Sequence, residues 1–184
     1  MEKLIRSKTR AFALAILAWL AFSVWVGTAQ AAPVAESGAA GTLTTAPGWR
    51  AENINDGDTG WLVRGEERIR FRLKFIDAPE AGQPGCAAAR DALREMLAAG
   101  PLRVEFGGKT YDRREARIWV GTFEVSRALL ADGLVWVDPR YTRNPELFEI
   151  QRQVHAKRRG LWADNRATAP WIWRKTHKRG TLCD

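Results

Sequence analysis

The chain has 184 residues and a formal net charge of +8, a size that fits one folded domain with flanking segments. Its two cysteines, Cys86 and Cys183, and its two histidines, His155 and His177, are spaced too widely for a zinc site built on cysteine or histidine pairs. The positive charge is compatible with a polyanionic partner and equally with ordinary solubility.

Lys3, Arg6, Lys8 and Arg10 precede an apolar run from Ala11 to Val26, and Ala29-Gln30-Ala31 supplies a small-residue cleavage site. This is the layout of a secretory signal peptide over residues 1–31. The apolar run is shorter than the roughly 20 residues that a spanning helix needs, so membrane contact is expected only if the signal stays uncleaved. Cleavage removes four basic residues and Glu2, which leaves a net charge of +5. The expected location is therefore exported, periplasmic or secreted. In such a compartment disulfides persist, and an even pair of cysteines suggests one bridge between Cys86 and Cys183. Residues 32–47, rich in Ala, Gly, Thr and Ser, read as a flexible linker.

From Trp49 the pattern changes. Trp61-Leu62-Val63 and the stretch Ile69 to Ile76 read as two strands, joined by a turn at Arg64-Gly65-Glu66-Glu67. The second alternates, with Ile69, Phe71, Leu73 and Phe75 on one face and Arg70, Arg72 and Lys74 on the other. A helix follows at about 86–99, with Gly100 as its expected C-terminal cap. Residues 102–106 and 116–120 alternate again as strands. A short helix covers about 124–132. A last helix starts at Asn144-Pro145 and is closed by Gly160. The order β-β-β-α-β-β-α-α predicts an α+β chain, mainly a β barrel with flanking helices: a five-stranded OB-fold barrel with three helices. The expected domain runs over 48–165, followed by a basic C-terminal tail over 166–184. In that tail Trp171 and Trp173, set among basic residues, are candidates for a nucleic-acid surface or for packing on the barrel.

Three clusters carry chemistry: Asp56-Gly57-Asp58-Thr59; Arg72 with Asp77-Ala78-Pro79-Glu80; and Tyr111-Asp112-Arg113. Carboxylates suit a hard cation, and guanidinium forks bind phosphate oxygens. Each cluster alone also reads as an ordinary turn, strand end or charged hairpin. Arg72 and Asp77 lie an odd number of residues apart, so they face opposite sides of a regular strand. They converge only if the chain bulges or bends near 75–77.

Taken together, the order DGDT, FRL, IDAPE, Y-x-R-x-x-A, L-x-x-x-G and GLW resembles the thermonuclease family, the staphylococcal (micrococcal) nuclease-like proteins, over about Asn53 to Trp162. The resemblance implies a calcium-dependent, sugar-non-specific endonuclease that hydrolyses DNA and RNA, prefers single strands and leaves 3′-phosphate ends. It implies that Asp58, Asp77 and the Ala78 carbonyl hold Ca²⁺, with Asp56 and Thr59 in the outer shell. Arg72 and Arg113 would grip the scissile phosphate, Glu80 would act as general base, and Tyr111 would lie near the bound nucleotide. No small-molecule cofactor is expected, and the chain is expected to be a monomer. The alternative is a non-catalytic exported OB module that binds nucleic acid without cutting it. Three positions depart from the family pattern. Asp112 stands where glycine is usual, Lys109 where aspartate is common, and Pro139 where the type member has a base-stacking tyrosine, with Tyr141 as a second aromatic nearby. An acid at 112 is expected to weaken the hold of Arg113 on phosphate.

Overall fold

A computed structural model describes residues 48–178, 180 and 183; the expected signal peptide and linker lie outside them. The described residues belong to the unit Thr44–Asp184, which includes the segment expected as a tail. In chain order the elements are β1 (Arg50–Glu52), β2 (Thr59–Arg64), β3 (Glu67–Leu73), β4 (Ile76–Asp77), α1 (Cys86–Ala98), β5 (Leu102–Thr110), β6 (Arg113–Val120), β7 (Phe123–Glu124), α2 (Val125–Ala131), β8 (Trp136–Val137), α3 (Pro145–Ala156), a 3-10 turn (Gly160–Ala163) and α4 (Pro170–Thr176).

The main sheet runs β1-β2-β3-β6-β5, and a bridge between Trp49 and Leu102 joins its two outer strands. Five strands therefore close on themselves as the OB-fold does. All pairs are antiparallel except β3 with β6. The alternation in β3 has the expected consequence. Phe71 and Leu73 point into a core shared with Leu62, Ala116, Ile118, Leu93 and Leu129, all nearly inaccessible to solvent, while Arg70, Arg72 and Lys74 stay on the outer face. That buried face is what fixes strand register, since a one-residue slip would turn every apolar side chain outward.

The structure refines four expectations. The strand expected over 69–76 breaks after Leu73. Phe75 takes a left-handed φ of 76°, and Ile76–Asp77 leaves the barrel to pair with β8. Strands β5 and β6 are longer than expected, with a register shift between Phe106 and Lys109 where two glycines let β5 kink. Helix α1 is capped by Ala99, whose N–H bonds the Met96 carbonyl, and Gly100 has no left-handed role. The last helix opens on the Asn144 side chain as expected, accepting from Glu146 N–H at 3.0 Å, but stops at Ala156 because Arg158 turns left-handed.

A fourth helix, α4, occupies the expected tail. Pro170 starts it, in the first-turn position where a missing N–H costs nothing. Gly180 N–H donates to the Ala81 carbonyl, and Cys183 is joined to Cys86 with their Cα atoms 5.1 Å apart. The expected disulfide is present.

Candidate active site

The first cluster is a turn pressed against α1. A Cβ on Gly57 would lie 2.5 Å from the Ala89 Cβ and 2.9 Å from the Ala78 Cβ, so glycine is required for close packing. The turn delivers Asp58, 1% exposed, under the barrel mouth. Its carboxylate is fully engaged. Oδ1 accepts from Thr59 Oγ1 at 2.8 Å and from Arg72 Nη1 at 3.0 Å, and Oδ2 accepts from Ala78 N–H at 2.9 Å. Asp56 Oδ1 accepts from Asp58 N–H at 3.1 Å.

The break at Phe75 brings Asp77 back beside Arg72. Arg72 Nη2 reaches Asp77 Oδ1 at 2.6 Å, so one guanidinium bridges Asp58 and Asp77. Asp77 is fully buried and has two further cations on it. Arg140 Nη2 lies 3.4 Å from Oδ2. Arg174, from α4, forks across both oxygens at 2.6 and 3.2 Å and also donates to Glu80 Oε1. Arg140 is itself held by the buried Asp138, whose carboxylate it meets at 2.6 and 2.9 Å.

These side chains border an open cleft of about 420 Å³, a volume suited to a nucleotide-sized ligand. Arg72, Arg113, Glu80 and Asp56 line it together with Tyr141, Arg140, Arg174, Trp173 and His177. Glu80 is positioned by its loop: its N–H bonds Gln83 Oε1 at 3.0 Å, and Gln83 Nε2 bonds the Thr168 carbonyl at 2.6 Å.

Electrostatics follow from burial. Asp56 is pushed up to about 7 by burial first and by the Asp58 charge second. Asp77 is raised by burial and by Asp58, against the pull of Arg174 and Arg72. Asp58 raises Arg72 further above its usual range. For Arg174, burial opposes the charge, and the hydrogen bonds with Asp77 and Glu80 outweigh it. Three guanidinium groups, from Arg72, Arg140 and Arg174, gather around Asp77.

The donors of Asp56, Asp58 and Asp77 are all hard oxygens, and burial and the Asp58 charge disfavour the carboxylate form of Asp56 and Asp77, which fits a hard divalent cation. As arranged, however, guanidinium groups engage the oxygens such an ion would use. Among the described residues no three acidic, histidine or cysteine side chains are disposed around one ion position.

Most of the expected residues converge here: Asp56, Asp58, Thr59, Arg72, Asp77, Ala78 and Glu80 in one network, and Arg113 across the cleft. Tyr141 lines the cleft at 57% exposure. Tyr111 does not; it stands 90% exposed at the tip of the β5–β6 hairpin, with φ 56°. Asp112 has two arginine neighbours. It pairs with Arg70 and lies 4.0 Å from Arg113 Nε, the edge of ion-pair range. Lys109 lies exposed on β5, outside the cleft lining. Sequence reasoning missed Arg140, Asp138 and Arg174. The signal for Arg174 was Ala169-Pro170, a helix start inside the supposed tail.

Residues 70–164 match the family described as staphylococcal nuclease homologue. A probable staphylococcal-like nuclease of Oryza sativa subsp. japonica is 35% identical over 124 residues, 65% of this chain and 38% of that protein. This chain thus spans well under half of the rice protein's length. An uncharacterized endonuclease of Haemophilus influenzae is 31% identical over 131 residues, 70% of this chain and 74% of that protein. A micrococcal nuclease of Shigella flexneri is 28% identical over 173 residues, 84% of this chain and 98% of that protein. The helix that carries Arg174 lies beyond the family match.

Proposed function

The chain belongs to the staphylococcal nuclease family of phosphodiester hydrolases, and from that premise we propose that it is an exported, calcium-dependent endonuclease acting on DNA and RNA. The observation that carries this reading is the meeting of Arg72, Arg113 and Glu80 on one open cleft, with Asp56, Asp58 and Asp77 beneath it. A module that only binds has no need of a carboxylate fixed opposite two arginines.

Asp58, Asp77 and the Ala78 carbonyl would hold Ca²⁺, with Asp56 and Thr59 around them. When bound, the ion supplies Lewis-acid polarisation of a phosphate oxygen. The chain's own residues do the rest. Arg72, kept in place by Asp58 and Asp77, presents a fork to the phosphoryl oxygens, and Arg113 approaches from the β5–β6 hairpin. Both stabilise the charge that grows there in the transition state. Glu80 orients a water and takes its proton as the oxygen attacks phosphorus. The bond to the 5′ oxygen breaks and that oxygen takes a proton from solvent, which leaves a 3′-phosphate and a 5′-hydroxyl.

A cleft that grips phosphate and offers aromatic edges reads backbone and stacking rather than sequence. Single strands, whose bases are free to stack, are the favoured substrates. The signal-like segment 1–31 and the Cys86–Cys183 bridge both support export, since disulfides persist in oxidising compartments.

The test is digestion of single-stranded DNA, duplex DNA and RNA by the full chain in Ca²⁺, in Mg²⁺ and in chelator, beside Glu80→Gln. Cleavage that needs Ca²⁺ and collapses in the variant is expected. Retention of nucleic acid on a gel with no cleavage by folded protein would favour the binding module instead.

A further inference from the structure

We propose that Arg174 is a residue of the active site, delivered by the C-terminal helix, that competes with the divalent cation for Asp77 and restrains Glu80 until the cation displaces it. This rests on the reading that Asp77 and Glu80 serve phosphodiester cleavage.

The argument begins with lone pairs. An ionised carboxylate offers about four acceptor positions. On Asp77 all four are used by guanidinium nitrogens: Arg72 at 2.6 Å, Arg140 at 3.4 Å, and Arg174 twice, at 2.6 and 3.2 Å. An ion enters only if one donor leaves. Arg72 is the least able to go, because it also bridges to the buried Asp58. Arg140 has a second partner in Asp138, which contacts it through both oxygens. Arg174 has neither support. Its other partner is Glu80, itself at the cleft. Arg174 is 35% exposed and sits on a helix of two turns, so its departure opens both carboxylates at once.

The hold is tunable because the helix is tied down on both sides. Before it, the Thr168 carbonyl accepts from Gln83 Nε2, within the loop that carries Glu80. After it, Gly180 runs against Ala81 so closely that a Cβ would sit 2.4 Å from the Ala81 oxygen. Beyond that, Cys183 is bonded to Cys86, and its carbonyl accepts from Arg90. A tethered guanidinium acts at a high effective concentration, and loosening the tether lowers it. Reducing the disulfide is therefore expected to weaken the competitor without touching any cation ligand.

The experiment is calorimetric titration of Ca²⁺ into the full chain, with no nucleic acid present, for wild type, Arg174→Gln and Arg174→Lys, each checked for folding by circular dichroism. Arg174→Gln is expected to bind Ca²⁺ about tenfold more tightly or better, a coupling of ordinary size. Arg174→Lys keeps the charge but loses the fork, and is expected to fall between the two. Wild type in a thiol reductant is expected to move toward Arg174→Gln. Equal or weaker Ca²⁺ binding by folded Arg174→Gln overturns the competition. If no form binds Ca²⁺, the cation reading beneath it falls as well, and the two failures are told apart by whether any form, wild type or variant, gives a binding isotherm.

Discussion

Gly133 and Gly160 meet backbone to backbone, and neither has room for a side chain. A Cβ on Gly160 would lie 2.5 Å from the Gly133 carbonyl oxygen, and one on Gly133 would lie 2.6 Å from the Arg159 oxygen; both glycines have positive φ, 54° and 73°. Leu161 N–H donates to the same Gly133 carbonyl at 2.9 Å. This contact fastens the 3-10 turn to the end of α2. Gly160→Ala combines a disfavoured φ with overpacking and is expected to destabilise by about 2–4 kcal/mol. A urea midpoint that falls with an unchanged slope checks it.

Arg113 offers the cleanest test of phosphate stabilisation. Its side chain is 25% exposed, and its contact with Asp112 is at 4.0 Å. Arg113→Ala is therefore expected to lower kcat by about 10²–10³ while stability moves by about 0.5 kcal/mol or less. Arg72→Ala is expected to lose activity on the same scale and stability as well, because it strips the bridge from two buried carboxylates. Thermal melts run beside initial rates separate the two cases.

Asp112 is expected to matter little. Its charge is spent on Arg70 at an exposed site, and that hydrogen bond, ahead of the other influences, holds its carboxyl below the usual range. Asp112→Gly should change kcat/KM by less than about threefold, the scale of an exposed ion pair. A larger gain in the rate assay would mean that Asp112 does restrain Arg113.

Asp56 links stability to pH. In the unfolded chain its carboxyl releases its proton near 4, whereas in the fold burial and Asp58 keep it protonated up to about 7. Between those values the folded state binds more protons, so raising pH from 4 to 7 in chelator removes stability. Asp56→Asn keeps an oxygen to accept from Asp58 N–H and cannot ionise. It is expected to flatten that slope and to be the more stable form at pH 7–8, by roughly 4 kcal/mol. Guanidinium melts at pH 4, 5.5 and 7.5 measure it.

The barrel and most of the site were legible because they are written in local signals. The alternation through Phe71 and Leu73, the glycine between Asp56 and Asp58, and the Asn144-Pro145 start each act over a few residues. The need for a bend between Arg72 and Asp77 followed from strand geometry alone, and Phe75 supplies it. What stayed hidden was tertiary. Nothing near Arg174 marks it as the partner of Asp77, 97 residues earlier. Asp112 looked set against Arg113 because the two are adjacent in sequence, but the side chain turns to Arg70 on the strand opposite. Tyr111 followed the family's order, and the structure leaves it exposed at a hairpin tip, beside but not among the residues that line the cleft.

The bond between Cys86 and Cys183 turns the chain from α1 onward into a covalent ring, with the first strands of the barrel attached at one point on its circumference. The exposed stretch Pro139-Arg140-Tyr141 lies on that ring. A protease that cuts there opens the circle but frees no fragment, because the two new ends remain parts of one molecule. On a gel such a nicked protein runs as two pieces only after reduction. A single scission then leaves an intact set of parts still held within reach of one another.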